Sequence, residues 1–346
     1  MNRNRIRIQI SNAALLLVFI ISIISCSQGS KKSGKTGETE KAGITDSIAL
    51  RDLSRHDFLY AGEAKVQDMY ILKNGKIAWE YKGPRDQGYM GEISDAVLMN
   101  NGNILFAHQR GITLITPERE VLWHYDTPEG YETHTAQPIG ENYVVFVQNG
   151  NPAQVFVVNI KNGETVKSFE VPVKNPKNSH GHFRHARLTK DGTYLIAHMD
   201  LGKVIEYDID GNQLWSMDTP KIWSAEPLEN GNILLCGNDR WIREVNKEGD
   251  VVWDFKLDDY PQYNMTKPQI ATRLENGNTI INDWFSDWGD TLDIKKPPIQ
   301  AIEVTPDKEV VWIVQSWEKP NLGPSTTIQV LNENRIPENK HFGPFK

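Results

Sequence analysis

The amino-acid sequence predicts an all-β fold, a six-bladed β-propeller that is closed by a C-terminal strand, with seven blades as the alternative count. Three observations lead to this prediction. Two short patterns recur along the chain at roughly the length of one blade. The two patterns keep a constant phase relative to each other. Near the C-terminal end, a strand-like segment lacks the aromatic pattern that should follow it.

The first pattern is a tight turn, an apolar stretch and an aromatic residue, as in Gly211 to Trp215. The aromatic residues that end its copies are Trp79, Trp123, Phe169, Trp215, Trp253 and Trp312. Consecutive copies lie 38 to 46 residues apart, except for the last pair, which lies 59 residues apart. Four short strands in about 45 residues make one propeller blade. We therefore expect each aromatic side chain to lie on an outer strand and to pack between two blades.

The second pattern is an apolar residue, a glycine-containing turn and an apolar run, as in Leu98 to Phe106. The glycines of its turns are Gly102, Gly140, Gly192, Gly231 and Gly277, and the copy at Gly140 is degenerate. In three copies the aromatic residue follows the glycine by 21 to 23 residues, whereas after Gly277 the distance is 35, which predicts an insertion. Apolar runs that are separated by Gly, Asn and Asp turns indicate antiparallel strands at regular spacing.

The two ends of the repeat predict how the ring closes. Thr326 to Leu331 has a strand pattern, but no aromatic copy follows it. The blade that ends at Trp79 has only Ala64 to Leu72 before it as a strand partner. We expect the C-terminal strand to complete that first blade.

Residues 1–25 are predicted to be a signal peptide. Three arginines precede an apolar run from Ala13 to Ile24, which is too short to span a bilayer comfortably. The run ends at Ser25-Cys26, which resembles the lipobox of bacterial lipoproteins. We expect the Cys26 thiol to accept a lipid and to anchor the protein in a bacterial envelope membrane, most simply the outer membrane, facing the periplasm or the cell surface. The alternative is an ordinary signal peptide with an incidental cysteine.

Residues 26–55 form a predicted lipid anchor and disordered tether, and residues 56–346 form the predicted propeller. Ser27 to Lys35 contains too few apolar residues to build a core, so we expect it to hold the folded domain away from the membrane.

Charge and cysteine content narrow the possible partners. The net charge is −7, and without Arg3, Arg5 and Arg7 of the signal peptide it is −10. An acidic chain with no basic run does not fit nucleic-acid binding. Cys26 and Cys236 are the two cysteines, so lipidation of Cys26 leaves no disulfide. Cys236 lies in an apolar run and is expected to be buried and inert. We expect a monomer.

Candidate site residues precede each copy of the second pattern, because the innermost strands of a propeller converge on its axis. The candidates for catalysis are His134, His185 and Arg187, and the candidates for ligand binding are Asp95, His182, Arg184, Glu226, Gln269 and Arg273. Histidine can act as a base or a nucleophile, and arginine can bind an anion through two hydrogen bonds. Polar axial side chains with ordered water and no chemistry are the alternative.

Metal and cofactor sites are not predicted. His182 and His185 lie close in sequence, but on an irregular loop rather than on one fixed face. The insertion from Asn282 to Asp293 holds four aspartates, but their spacing matches no calcium loop. Trp284 and Trp288 in this insertion are expected to cap a blade edge, with stacking on a sugar ring as the alternative.

Two families resemble this chain. Asp208 to Trp215 and its copies look like the outer-strand repeat of PQQ-like propellers, a group that includes an outer-membrane assembly lipoprotein of bacteria. His185 to Gly192, followed by Gly211 to Trp215, is similar to blades of the bacterial arylsulfotransferases, in which a histidine precedes a Leu-Pro-Asn-Gly-Asn strand. The resemblance covers about residues 70–315. It implies a six-bladed propeller with axial histidines and an arginine that act on a sulfuryl group.

The chain also departs from both families. We align His185 with Asp95, Ala136, Ala225 and Ala271 of other blades, so a full set of axial histidines is missing. There is no room for the extra N-terminal sandwich domain of the arylsulfotransferases. The paired-cysteine element of the PQQ dehydrogenases is absent, so we predict no bound quinone and no other cofactor.

Two hypotheses about function follow. The first is a non-catalytic envelope lipoprotein that binds a protein or glycan partner on its axial face. The second is an arylsulfotransferase-like or glycan-processing enzyme with His185 or His134 as nucleophile or base and Arg187 as the anion-binding residue. The second hypothesis requires His134, His185, Arg187 and Glu226 to share one small axial pocket.

Overall fold

The computed structural model of the chain describes residues 49–62, 68–83, 92–285 and 295–334. Within these ranges, 24 strands form six four-stranded antiparallel sheets, each of which is one blade. The six-bladed propeller is therefore confirmed, and the alternative of seven blades is wrong. Among the described residues, no helix has the length and apolar character needed to cross a membrane.

The strands follow the chain from the inside of each blade to the outside, except in the first blade. The first blade contains β1 (Phe58–Ala61), β2 (Asp68–Lys73) and β3 (Lys76–Lys82), and the second contains β4 (Ile93–Leu98), β5 (Ile104–His108), β6 (Gly111–Ile115) and β7 (Val121–Asp126). The third contains β8 (Glu132–Ile139), β9 (Tyr143–Asn149), β10 (Ala153–Asn159) and β11 (Thr165–Val171), and the fourth contains β12 (Phe183–Leu188), β13 (Tyr194–His198), β14 (Lys203–Tyr207) and β15 (Gln213–Asp218). The fifth contains β16 (Ile222–Pro227), β17 (Ile233–Gly237), β18 (Trp241–Val245) and β19 (Val251–Lys256), and the sixth contains β20 (Lys267–Arg273), β21 (Thr279–Trp284), β22 (Ala301–Val304) and β23 (Val310–Val314). The last strand is β24 (Thr327–Val330).

The ring closes through β24, as predicted. This strand pairs antiparallel with β1, where Ile328 lies opposite Tyr60, and it is the innermost strand of the first blade. Gln329 extends the closure to the second blade. Its Oε1 accepts a hydrogen bond from Leu98 N at 2.8 Å, and its Nε2 donates to Leu98 O at 3.0 Å. No strand was predicted at β1, so the first blade begins earlier than expected. This strand is buried along its whole length and therefore shows no alternation of polar and apolar residues.

The apolar core lies between the blades. Six clusters of buried side chains are formed by the described residues, and each cluster joins two neighbouring blades around the ring. A single blade buries neither face alone, so each blade depends on both neighbours. The repeat in the sequence is thus also the repeat of the core.

Tryptophans of the outer strands join neighbouring blades, as the first sequence pattern predicts. The indole N–H of Trp79 donates to Pro117 O at 2.7 Å, and that of Trp215 donates to Lys247 O at 2.8 Å. In both pairs the acceptor lies in the turn between the third and fourth strands of the next blade. Trp253 makes the same contact with Pro306 O at 2.8 Å. Each indole therefore combines apolar burial with a satisfied N–H group.

Closure of the ring can be tested at Gln329. Replacing Gln329 by Ala removes both bonds to the Leu98 backbone, and we expect the free energy of unfolding to fall by about 1–3 kcal/mol. Urea denaturation of the full chain measures this change. The matched control is Gln213→Ala, since Gln213 is exposed on β15 and its side chain donates a hydrogen bond to Ser216 Oγ on the same strand, so that it joins no two blades. A loss for Gln329→Ala no larger than for the control would contradict the closing role.

Candidate functional site

Five innermost strands carry an alanine at the same position. Their register with the second strand of each blade equates Ala96, Ala136, Ala186, Ala225 and Ala271. All five alanines are buried. Where the strands converge on the axis, a small side chain lets the backbones approach, and close packing leaves no space for a larger one.

This register corrects one alignment from the sequence. Ala136, Ala225 and Ala271 are equivalent to Ala186, and not to His185. His185 instead aligns with Asp95 and with the residue before each of the other alanines. A shift of one residue in a strand moves a side chain to the opposite face, so the distinction decides which residues meet.

A break in the strand register precedes the alanine in each of these five strands. The breaks fall between Ile93 and Asp95, Thr133 and Ala136, Phe183 and His185, Ile222 and Ser224, and Pro268 and Ala271. An extra residue in one strand re-aims the side chains around it. The residues two positions before the alanines lie in these breaks. They are Ser94, His134, Arg184, Trp223 and Gln269.

Arg187 is the centre of an ion-pair network on the axis. Its Nη1 donates to Asp95 Oδ2 at 2.8 Å and its Nη2 donates to Asp95 Oδ1 at 3.0 Å, which is a bidentate pair. Nη1 also lies 3.1 Å from Thr135 Oγ1, and Nε lies 3.5 Å from Glu226 Oε2. These four side chains come from the inner strands of four successive blades. Burial lowers the pKa of Arg187, but the charges of Asp95 and Glu226 outweigh it and hold this pKa above its ordinary value.

Asp95 has further partners that fix its carboxylate. Thr135 Oγ1 donates to Asp95 Oδ2 at 3.0 Å, and Ala136 N donates to the same oxygen at 3.2 Å. Ala186 N in turn donates to Thr135 Oγ1 at 3.2 Å. The pair of Arg187 and Asp95 is therefore held by backbone and side-chain groups of the strand between them.

His185 lies next to this network but is fully buried. Its Nδ1–H donates to Ala225 O at 3.0 Å, which leaves a lone pair on Nε2, 3.9 Å from Glu226 Oε2. Nε2 has no hydrogen-bond partner within the described part of the chain. Burial, together with the charge of Arg187, lowers the pKa of His185 to about 4. The imidazole is therefore neutral near pH 7.

A cavity of about 420 Å³ opens at the end of the axis where the second-pattern turns lie. In five inner strands the residue directly after the buried alanine lines this cavity, and in β24 Gln329 does so. These residues are Val97, Gln137, Arg187, Glu226, Thr272 and Gln329. Leu188, Pro227 and Ile270 add apolar surface. Volumes of about 300–1,000 Å³ with apolar walls and a few fixed polar groups are typical of small-molecule sites. We call this space the axial cavity.

A second polar group lies at the opposite end of the inner strands. Glu132 Oε2 is 2.8 Å from His134 Nε2 and 2.8 Å from His180 Nδ1. His134 is fully buried, and its Nδ1 lies 3.1 Å from Ser94 Oγ. Burial, strengthened by the charge of Arg184, lowers the pKa of His134 to about 3. Burial raises the pKa of Glu132, but hydrogen bonds to the two imidazoles more than compensate and keep this pKa below its ordinary value.

The structure thus divides the predicted candidates between two ends. Asp95, Arg187, Glu226 and Arg273 line the axial cavity, and His185 lies just below it. Arg273 is paired there with Glu244 at 2.9 Å. His134 and Arg184 lie toward the opposite end, where the Arg184 guanidinium is 5.4 Å from the Trp223 ring. His134 and His185 therefore do not share one pocket.

Two further candidates have other surroundings. The Nε2–H of the buried His182 donates to Asn175 O at 2.7 Å and so holds the loop before β12. Gln269 is buried in the register break of β20.

Cys26 and Trp288 lie outside the described residues, whereas Cys236 is buried and free, as expected. Trp284 lies against Trp223, with their ring centroids 6.5 Å apart.

Several residues of the two ends were not among the predicted candidates, including Glu132, Gln137, His180, Thr272 and Gln329. Glu132 and His134 are two positions apart on β8, and this spacing places both side chains on one side of a strand. That signal was available in the sequence. The approach of His180 was not, because it lies in a short 3-10 turn from Ser179 to Gly181 outside the repeat.

Comparisons with known proteins agree with the fold and go no further. No protein-family model matches the sequence, and no curated protein matches it. A solved protein of unknown function from Bacteroides caccae is 24% identical with a TM-score of 0.68, and the match covers 80% of this chain and 99% of that one. A catalytically inactive virginiamycin B lyase from Staphylococcus aureus with quinupristin is 12% identical with a TM-score of 0.51, over 76% of this chain and 86% of that one. The WD40 propeller domain of Doa1 is 16% identical with a TM-score of 0.50, over 67% and 74% of the two chains. The chain is a six-bladed propeller with a polar axis, and these likenesses assign it no family.

The axial ion pair can be tested by replacing Arg187 with Met. This change leaves the buried carboxylate of Asp95 without its charged partner, and we expect the free energy of unfolding to fall by about 3–5 kcal/mol. Adding Asp95→Asn should recover part of the loss, because the unpaired charge is then removed. Both values come from urea denaturation of the full chain.

The control for this test is Lys203→Met, which removes an ion pair of similar length on the surface. Lys203 Nζ lies 2.8 Å from Asp218 Oδ1, and the two side chains are 42% and 79% exposed. We expect this control to cost less than about 1 kcal/mol. Equal losses for Arg187→Met and Lys203→Met would contradict a structural role of the axial pair.

Proposed function

We propose that this protein is a non-catalytic envelope lipoprotein that binds an uncharged, hydroxylated ligand, such as the end of a neutral glycan, in the axial cavity. The observation that carries the proposal is the cavity itself, in which the arginines are already paired with carboxylates. Arg187 is bound by Asp95, and Arg273 is bound by Glu244. The lining also offers amide, hydroxyl and apolar groups beside its other charged side chains, and these groups suit a ligand with hydroxyl groups and an apolar face.

The charges around the cavity favour a neutral ligand over an anion. The described residues that line it include three basic and four acidic side chains. An anion would meet this slightly negative field, and would have to compete with Asp95 for both donor groups of Arg187. A neutral ligand requires neither the displacement of a carboxylate nor an unpaired charge.

The alternative is an arylsulfotransferase-like or glycan-processing enzyme. In that case a histidine nucleophile and an arginine must reach the same substrate group. His185 is beside Arg187, but it is buried beneath the cavity and is absent from its lining. His134 belongs to the group at the opposite end. The geometry therefore supports binding more strongly than catalysis.

Anchoring through Cys26 is part of the same proposal. The basic segment, the short apolar run and Ser25-Cys26 support a lipid anchor, and the polar residues that follow Cys26 would form a spacer. The end of the predicted tether 26–55 instead belongs to the propeller, because Leu50 and Leu53 pack against its core and Asp52 O accepts a hydrogen bond from Trp312 Nε1 at 2.9 Å. A propeller on such a spacer would present its axial cavity at a distance from the membrane surface, to a glycan or a protein partner within the envelope.

Ligand binding in the cavity is tested by thermal unfolding of the full chain in detergent. Neutral oligosaccharides should raise the melting temperature, because a ligand at 100 times its Kd adds about 2.7 kcal/mol to stability. Aryl sulfates and acidic glycans should give a smaller rise. Thr272→Trp should abolish the rise by filling the cavity, because Thr272 is part of its lining.

Thr165→Trp is the matched control, since Thr165 is exposed on the outer strand β11 and far from the inner strands. This variant should keep the full response to ligand. A rise with aryl sulfates but none with neutral glycans would favour the enzymatic alternative. Absence of any response would contradict small-molecule binding and point to a protein partner.

The anchor is tested by Cys26→Ser. We expect the wild-type protein to fractionate with envelope membranes and to incorporate a radiolabelled fatty acid, and we expect the variant to lose the label and the membrane association. Cys236→Ser is the control, because Cys236 is buried and should not accept a lipid. Retention of label in Cys26→Ser would rule out this lipidation site.

A further inference from the structure

We propose that Glu132, His134 and His180 bind a divalent transition-metal ion of the zinc class, at the end of the axis opposite to the axial cavity. Each residue offers one ligand atom, and the three atoms lie within 4.8 Å of one another. Two imidazole nitrogens and one carboxylate oxygen form a common ligand set for such ions. This site is separate from the proposed ligand site and does not depend on it.

The surroundings of His134 prepare it as a metal ligand. Its Nδ1 faces Ser94 Oγ at 3.1 Å, and its Nε2 faces Glu132 Oε2 at 2.8 Å. Without an ion, Nε2–H donates to the carboxylate. In the other tautomer Nδ1–H donates to the serine hydroxyl, and the Nε2 lone pair is free to bind an ion. A metal ion between the two atoms would convert that contact into two bonds. Histidines that ligate metals usually donate their other ring N–H to a carboxylate, a backbone carbonyl or a water molecule, and here the Ser94 hydroxyl would accept it.

His180 brings the second imidazole from a different element. It lies in the 3-10 turn Ser179–Gly181 before β12, and its Nδ1 also faces Glu132 Oε2 at 2.8 Å. The two imidazole rings are nearly perpendicular, with centroids 5.4 Å apart, so both converge on one point without stacking. The His180 side chain is 51% exposed, which gives solvent and metal ions access to the site.

Metal binding requires the ligand side chains to move. Around a tetrahedral zinc with bonds of about 2.0–2.1 Å, ligand atoms lie roughly 3.3 Å apart. Here the carboxylate oxygen is 2.8 Å from each nitrogen, and all three atoms lie within 4.8 Å of one another. The carboxylate must therefore move about half an ångström away from each nitrogen, and a turn of the half-exposed His180 side chain can bring its nitrogen to the ion. Gln109 Nε2 lies 3.3 Å from His180 Nδ1, and a flip of this amide would turn its oxygen toward the ion as a fourth ligand.

One nearby charge opposes binding. The Arg184 guanidinium is close enough to lower the pKa of His134, and its positive charge also reduces the attraction for a cation. Glu132 is the compensating anion of the site. With one carboxylate and two imidazoles, the site should prefer Zn²⁺, Co²⁺ or Ni²⁺ to Mg²⁺ and Ca²⁺, which need more oxygen ligands.

The experiment is a titration of the full chain, without a polyhistidine tag and after removal of metals by a chelator. Co²⁺ binding is followed by its visible absorption, and Zn²⁺ binding by competition with a chromophoric chelator. We expect one ion per chain, and a loss of affinity of roughly 100-fold or more in His180→Ala. His180 is half-exposed in a surface turn, so this variant should fold.

His124→Ala is the matched control. His124 also faces a carboxylate, Asp126, at 3.1 Å, but no second imidazole points at that carboxylate among the described residues. This variant should bind metal as the wild type does. Equal affinity of the wild type and His180→Ala would overturn the proposal, as would the absence of stoichiometric binding at micromolar Co²⁺ or Zn²⁺. Preference for Mg²⁺ or Ca²⁺ would contradict the assigned class of ion.

Discussion

The pairing of Arg187 with Asp95 across the propeller axis is the interaction on which the centre of this molecule depends. The inner strands converge so closely that alanine occupies the same buried position in five of them. Polar side chains next to those alanines are largely removed from bulk water, so they need partners on other blades. Arg187 does so with two bonds to Asp95, while Thr135 supports both. The ion pair links blades that are not neighbours, which the apolar clusters between blades cannot do.

The same pair separates two chemical environments along one axis. Toward the second-pattern turns, the side chains that follow the alanines surround a cavity whose arginines are already neutralised. In the opposite direction, the register breaks bring His134 and Arg184 toward each other, and Glu132 and His180 complete a group of nitrogen and oxygen donors. A guanidinium that is largely buried and paired at the floor of the cavity favours structure over chemistry, because moving it would leave Asp95 charged and unpaired.

The sequence predicted the frame of this fold more fully than the details of its axis. Periodic turns and aromatic residues fixed the blade count, the closing strand and the outer tryptophans, because each is a local signal that is repeated. The phase of the second pattern also placed Asp95, Arg187, Glu226 and Arg273 at one cavity. The register breaks left no signal in the periodicity, so the alignment of His185 was wrong by one residue, and His134 was grouped with residues that the structure places at the other end. His180 could not be placed at all, because its turn lies outside the repeat and its approach to Glu132 is set by tertiary packing.

The architecture also explains why fold similarity is a poor guide to function here. A propeller of similar shape serves a virginiamycin B lyase and the WD40 domain of Doa1, at identities of 12% and 16%. In this chain the blades are held by apolar clusters and outer tryptophans, whereas the axial chemistry depends on one or two positions on either side of each alanine. Substitutions at those positions can change the ligand without disturbing the contacts between blades. His185 shows that a suitable residue type is not sufficient for catalysis. It has the neutral imidazole and the neighbouring carboxylate of a general base, but it is buried beneath Arg187 and so does not reach the cavity. Access, rather than residue type, therefore decides between a binding site and a catalytic one on this axis.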